Sequence, residues 1–159
     1  MGFCLFKEAA NRELFFAVNS SHVEEVLPQR DSPGGQPVCL LKFSISPKKF
    51  RPLVIGTRVD VQNFLMQSAK IGVRKIECQT FMGDSKKLRP APLLLNKTDR
   101  IVIVREMMPE EFARSGIASA TASEIMLEDG SLKIIAERPG VFAARANADR
   151  KVPILDPDG

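Results

Sequence analysis

Tryptophan and tyrosine are absent from this chain of 159 residues, and the ten phenylalanines are its only aromatic residues. Trp and Tyr supply much of the contact energy at protein interfaces and anchor proteins at membrane surfaces. Their absence argues against an aromatic interface hot spot and against a membrane-surface belt. No apolar run reaches about 18 residues, so the sequence predicts no transmembrane helix and no membrane partner. The first residues lack a basic segment followed by an apolar one, so no signal peptide is expected.

Residue types that carry catalysis and metal binding are also scarce. His22 is the only histidine, so a nucleophile that needed a histidine base would depend on it. Cys4, Cys39 and Cys78 lie in apolar runs without zinc-ligand spacing, which favours buried, inert thiols. No glycine-rich phosphate loop occurs. We therefore expect no enzyme activity, no metal and no cofactor, and the unpaired cysteines indicate a reducing, cytoplasmic compartment.

The charge of the chain is unevenly distributed. The formal net charge is +4, and 44% hydrophobic with 26% charged residues is ordinary for a globular domain with a real core. Residues 42–89 carry eleven Lys or Arg and three acids, whereas residues 106–137 carry seven acids and two Lys or Arg. This pattern favours either an anionic partner or contact between the two oppositely charged segments.

The clearest structural motif lies between Ser123 and Gly140. Two alternating apolar runs flank Asp129-Gly130, and an Asp-Gly pair in that setting predicts a tight hairpin in which both turn residues have positive φ. Alternation then places Ile125 on the same face as Ile134, and Glu124 on the solvent face.

The order of predicted elements that leads to this hairpin also occurs in the first half of the chain. Val38–Phe43 is an apolar strand that we expect to be buried on both faces, and Thr57 is a suitable N-cap for a helix after the strand Leu53–Ile55. Ser20–Val23 corresponds to Thr98–Ile101 in the second copy, and Cys4 corresponds to Cys78.

This repetition predicts a β-rich α+β fold with an internal duplication. Residues 1–72 and residues 73–150 would form two similar strand-rich units, each closed by a short helix, and residues 151–159 would form a flexible tail. The alternative is that two β-rich segments of similar length match by chance.

Each half resembles the small flagellar FlbD-type proteins, which carry an apolar-Asn-x-x-x-Ile strand and an Ile-x-Leu-x-x-Gly hairpin. The second half also resembles the end of a LytTR DNA-binding domain, in which an apolar-Asn segment precedes a Leu-x-Asp-Gly hairpin and a return strand. The first family implies no known chemistry, and the second implies DNA binding. The residues that carry these resemblances are Ala17-Val18-Asn19 with Val23 and Val26, Leu94-Leu95-Asn96 with Ile101, Ile125–Gly130, and Arg138.

Basic residues at two predicted turns form the candidate contact site. One turn carries Phe50 among three cations, and the other turn lies in the second half at a comparable position. Because the turns occupy comparable ends of similar units, we expect the six cations to share one face and to contact phosphates. A solvated basic surface is the alternative. The six residues are Lys48, Lys49, Arg51, Lys86, Lys87 and Arg89.

These patterns predict a non-catalytic binding or adaptor module of a bacterial-type regulatory or assembly system. Its partner would be another protein, bound through an apolar patch or a sheet edge. The alternative is a nucleic-acid-binding regulator that uses the basic face. The sequence does not define an oligomeric state.

Overall fold

The fold was analysed in a computed structural model of the chain. The described residues are 2–9, 14–30, 35–48, 50–72, 76–82, 89–95, 100–108, 110 and 122–155. For residues 76–82 and 89–95, the description is limited to the backbone.

The structure confirms a strand-rich α+β fold. Within the described residues there are eleven strands and two helices, together with a 3-10 turn at Ser20–His22. The strands are β1 (Phe3–Lys7), β2 (Phe15–Asn19), β3 (Val23–Gln29), β4 (Val38–Phe43), β5 (Leu53–Ile55), β6 (Ile76–Met82), β7 (Arg89–Leu95), β8 (Ile101–Glu106), β9 (Ser123–Leu127), β10 (Leu132–Ile135) and β11 (Ile154–Leu155); the helices are α1 (Arg58–Ser68) and α2 (Pro139–Ala146).

The described strands form two sheets. One sheet has eight strands in the order β11-β1-β2-β8-β9-β10-β6-β7, and the other has three in the order β3-β4-β5. All ladders are antiparallel except the one between β1 and β11. A single bridge between Glu8 and Val54, with a hydrogen bond of 2.9 Å from the Ala9 amide to the Leu53 carbonyl, connects the two sheets.

Strands β1, β2, β8 and β9 of the eight-stranded sheet are covered on both faces. On β1, Cys4 and Phe6 belong to a core shared with the three-stranded sheet and α1, whereas Phe3 and Leu5 belong to a second core shared with α2. The rings of Phe3 and Phe142 meet edge to face, with centroids 5.4 Å apart. Strands in the middle of a sheet with two covered faces read as continuous apolar runs, as β1 does here.

The predicted hairpin is present, but its register differs by one residue from the prediction. Gly130, with φ of 87°, is the turn residue with positive φ, and its amide donates to the Leu127 carbonyl. The loop thus has three residues before Ser131, and an extra loop residue shifts every later side chain to the other face. Ile134 consequently pairs with Glu124, and Ile135 is the fully buried residue of β10.

Two expectations about burial were wrong. Glu124 lies inside rather than on the solvent face, with 5% of its surface exposed. On β4, one face is buried throughout, whereas the other is buried at Val38, half-buried at Leu40 and exposed at Lys42. In both cases the neighbouring elements set the burial: β9 lies within a covered sheet, whereas β4 belongs to the three-stranded sheet, whose outer face is partly open.

The segment expected to be a flexible tail is partly ordered. Ile154–Leu155 pairs with β1 as β11, and residues 156–159 lie outside the described residues. The fully buried side chain of Asn147 holds the segment that leads to β11 against β1. Its side chain accepts from the Phe3 amide at 2.8 Å and donates to the carbonyls of Phe3 at 2.9 Å and Lys151 at 2.6 Å. These side-chain bonds satisfy buried backbone groups, which is why the tail stays against β1.

Candidate binding surface

The loop Ser44–Pro52 between β4 and β5 carries three of the predicted site residues. Phe50 holds it against the core, because its ring stacks on Phe16 with centroids 5.4 Å apart and an interplanar angle of 24°. The Arg105 guanidinium lies over the Phe50 ring, 5.1 Å from its centroid. Stacking and cation–π contact each favour a fixed ring position. Phe50 therefore anchors the loop to the core.

The Arg105 side chain that contacts Phe50 also forms an ion pair with Glu124. The distance from Arg105 Nη2 to Glu124 Oε1 is 3.8 Å, and the two side chains are 11% and 5% exposed. Arg105 and Glu124 are also cross-strand partners on β8 and β9. Charges in such a poorly solvated place attract each other more strongly than they would at the surface. The pair couples the second half of the chain to the loop of the first half.

Two depressions flank the loop and share its residues Ser46, Pro47 and Phe50. The first, the loop groove, has a volume of about 360 Å³ and lies against the outer face of the three-stranded sheet. Leu27, Leu40, Pro47, Phe50 and Pro52 make it apolar, and Lys42 and Arg51 are the charged residues in its lining.

The second depression, the hairpin pocket, has a volume of about 230 Å³ and lies between the loop and the β9–β10 turn. Its charged lining consists of Lys48, Glu124 and Asp129. Hydrogen bonds from the Ser131 hydroxyl, at 2.6 Å, and the Ser131 amide, at 2.8 Å, lower the pKa of Asp129 below its usual value, so this carboxyl is ionised at neutral pH. A lysine of the basic segment and two acidic residues of the later segment thus line one pocket.

The structure places three of the six predicted site residues. Lys48 and Arg51 are exposed, in the hairpin pocket and the loop groove respectively. Arg89 begins β7, and its backbone pairs with Met82. Since Phe81 pairs with Ile134, the start of β7 lies at the same end of the sheet as the β9–β10 turn. Lys49, Lys86 and Lys87 lie outside the described residues, so the shared face of all six remains a prediction.

Lys42 is the residue of this surface that the sequence reasoning missed. It lies between Leu41 and Phe43, which are 1% and 2% exposed, and it points to the loop groove. A single lysine within an apolar run was the available signal, because alternate residues of a strand face opposite sides. The expectation that Val38–Phe43 is buried on both faces obscured that signal.

Nucleophile and metal chemistry find little support in the described residues. Burial raises the pKa of the Cys4 thiol to about 12 and also raises the pKa of the Cys39 thiol, so neither forms a thiolate at neutral pH. The Cys78 side chain lies outside what the structure describes. Among the described residues, no three His, Cys, Asp or Glu side chains are grouped so that they could hold a metal ion.

None of the described helices has the length and apolar character needed to cross a membrane. Comparison of the chain with protein-family models, with curated proteins and with solved structures finds no match.

Proposed function

We propose that this chain is a non-catalytic adaptor module that binds a segment of another protein in the loop groove. The observation that carries the proposal is the composition of that groove. Its floor and walls are apolar, and its charged residues are two cations, Lys42 and Arg51, both exposed. Clefts that combine an apolar floor with a few placed polar groups are the usual form of a binding site.

The chemistry of the groove defines its occupant. Leu27 and Leu40 offer apolar contact, and Leu27 is 37% exposed. Lys42 and Arg51 favour carboxylates beside the apolar anchor. The occupant is therefore an extended polypeptide segment in which one or two large apolar residues are flanked by Asp or Glu. A cytoplasmic regulatory or assembly system of bacterial type remains the setting in which we place this module.

A nucleic-acid-binding regulator is the second candidate. Its support is that Lys42, Lys48 and Arg51 surround one loop, and that the backbone of Arg89 lies at the same end of the sheet. Against it, Lys48 shares its pocket with Glu124 and Asp129, which reduces the positive potential available to phosphates. We therefore rank polypeptide binding first.

We also propose that the chain arose by internal duplication. Each half presents a hairpin, a three-stranded meander and a helix in the same order. The ladders support this correspondence in detail. The β3–β4 ladder shifts register between Val23 and Glu25, and the β8–β9 ladder shifts between Ile101 and Ile103, which is the equivalent place.

The FlbD-type and LytTR resemblances belong to the same proposal. Asn19 is fully buried, accepts from the Ser21 hydroxyl at 2.9 Å and donates to the Ile101 carbonyl at 2.9 Å. An asparagine that ends a strand and caps the turn into the next is what an apolar-Asn-x-x-x-Val motif requires. This structural role of Asn19 supports a resemblance in fold to these families, and we infer no activity from it.

Selection and binding experiments test the proposed function. Random 12-residue peptides displayed on phage are selected on the immobilised protein, and generic single- and double-stranded DNA and RNA are titrated at two salt concentrations. We expect selected peptides with an apolar residue beside Asp or Glu. Lys42→Ala with Arg51→Ala should weaken their binding by about tenfold, since each lost exposed charge contact is worth roughly 0.5–1 kcal/mol.

The control is Lys70→Ala with Lys151→Ala, which removes two exposed cations that do not line the loop groove. Binding of peptides should not change in this variant. Tight, salt-sensitive binding of nucleic acid that is lost with Lys42, Lys48 and Arg51 would overturn the polypeptide proposal in favour of the second candidate.

A further inference from the structure

The equivalent strands β3 and β8 differ in the number of their neighbours. β8 lies between β9 and β2, whereas β3 has β4 as its one neighbour in the described sheets. β7 likewise has one neighbour, β6, although its equivalent β2 has two, β1 and β8. Each half therefore has one strand edge that its counterpart uses for pairing and that has no partner strand among the described residues. Open edges offer unpaired amides and carbonyls to another strand.

We propose that β3 of one chain pairs with β7 of a second copy, so that two copies form a dimer with two such seams. In the structure, β3 and β7 belong to different sheets and do not pair within the chain. A two-fold axis satisfies both edges of both copies at once, because the same surface then meets itself. The inference rests on the proposed correspondence of the two halves. The seam shares Leu27 of β3 with the loop groove, whereas Lys42 and Arg51 of the groove lie outside the seam.

The β2–β8 ladder supplies the register of the proposed seam. Ala17 pairs with Val104 in that ladder. Ala17 corresponds to Leu94, since Ala17-Val18-Asn19 matches Leu94-Leu95-Asn96, and Val104 corresponds to Val26 by the offset that relates Ile101 to Val23. The seam is then antiparallel, with Leu94 opposite Val26.

The prolines of the two strands agree with this register. Leu93 falls opposite Leu27, and Pro92 falls opposite Pro28. Since proline cannot donate to a ladder, two facing prolines end the seam there. The proposed ladder therefore covers residues 25–27 of β3 and residues 93–95 of β7, and it pairs Val26 and Leu27 with leucines.

A groove beside β3 provides the space that a second strand needs. It has a volume of about 410 Å³ and lies between β3 and α1. Val23, Val26 and Leu65 line it, together with Met66, which is 69% exposed. At the equivalent place in the second half, β2 lies beside β8, and Ala17 packs in the core that contains Phe142 of α2. An unbranched methionine adapts readily to an incoming strand.

Light scattering during size-exclusion chromatography measures the mass of the full chain at about 100 µM and at 1 µM. We expect twice the single-chain mass at the higher concentration. Leu27→Lys places a charge in the seam and should return the mass to that of one chain. Leu132→Lys changes a leucine of similar exposure, 42% against 37%, and should leave the doubled mass unchanged.

A disulfide experiment separates pairing between copies from pairing within a chain. Leu27→Cys and Leu93→Cys are made in two chains carrying different tags, mixed and oxidised. The wild-type chain, oxidised in parallel, reports on the native thiols, and Leu27→Cys mixed with Val141→Cys is the control pair. We expect a disulfide joining the two tags for the first pair only.

A single-chain mass for the wild type at 100 µM overturns the proposal. A single chain carrying both Leu27→Cys and Leu93→Cys is oxidised in the same way. The proposal is also overturned if that chain forms an internal disulfide and the two tagged chains form none, because β3 and β7 would then pair within one chain. Peptide binding by the loop groove is tested separately, with the variant that carries Lys42→Ala and Arg51→Ala.

Discussion

Strands β4 and β9 are the middle strands of two similar meanders, yet corresponding side chains on the two strands differ in burial. By the ladder registers, Lys42 corresponds to Met126 and Leu40 to Glu124. Lys42 is exposed and Leu40 half-buried, whereas Met126 and Glu124 are 4% and 5% exposed. Here a leucine lies partly open and a glutamate is buried. The cover supplied by neighbouring elements, more than the composition of the strand itself, therefore sets burial in this fold.

Exchanging the corresponding residues should give the largest effect. Met126→Lys would bury an ammonium group in the core and should lower the free energy of unfolding by on the order of 3 kcal/mol or more. Lys42→Met should change it by less than about 0.5 kcal/mol, since the position is exposed. Denaturant midpoints of the two variants check this. Similar losses in both variants would mean that β4 and β9 do not differ in cover.

The buried ion pair distinguishes β9 from β4 in a second way. Arg105→Leu should cost about 2 kcal/mol, less than the usual loss for a broken buried pair because the distance is 3.8 Å and Arg105 is partly exposed. The substitution leaves the Glu124 carboxylate buried without the Arg105 guanidinium, and it removes the cation that lies over the Phe50 ring. Arg105→Leu combined with Glu124→Leu should recover part of the stability, measured by the same denaturation experiment. A double variant less stable than Arg105→Leu alone would contradict this explanation.

The connections after the two strands also differ, because β9 ends in a three-residue turn and β4 in a long loop. Gly130→Val should cost about 1–2 kcal/mol, since a β-branched residue is strained at φ of 87°. A side chain there would otherwise have space, as a Cβ would lie 3.8 Å from Ile45. Gly72→Ala, at a position without positive φ and with Ala148 3.5 Å away, is the control. We expect no loss of thermal stability in the control.

Acid unfolding should show the smallest effect. Ser131 lowers the pKa of Asp129, so the unfolded chain binds this proton more readily than the folded chain does. The stabilisation is therefore complete above the unfolded pKa, about 4, and is lost as pH falls through the lowered folded pKa. Ser131→Ala should make unfolding midpoints between pH 2 and pH 5 less dependent on pH. An unchanged pH dependence would show that Ser131 does not set this pKa.

Local patterns predicted local structure well. The bounds of β4 and β5 agree with the expected strands, and the Thr57 hydroxyl accepts from the Asp60 amide at 3.1 Å as the N-cap of α1. Lys48 and Arg51 were expected on the surface and are exposed. These features depend on alternation, turn residues and caps, which lie within a few residues of each other.

Long-range pairing could not be predicted in the same way. The pairing of β2 with β8 joins residues more than 80 positions apart, and no local pattern encodes it. The surroundings of Glu124 also depend on distant residues, because Glu124 pairs with Arg105 of β8 and Arg105 contacts Phe50 of the first half. The loop groove likewise requires β3, β4 and a loop to come together.

The hydrogen bonds of Asn147 have a consequence for the order of folding. The two bonds to Phe3 connect residues 144 positions apart, and β11 joins β1 only beyond them. Contacts of such sequence separation carry a large loop-closure cost and slow folding. During synthesis, β1 can pair with β2 early, but its pairing with β11 waits until β11 has left the ribosome. Although β1 precedes the other described strands, it is therefore among the last of them to be fully hydrogen-bonded.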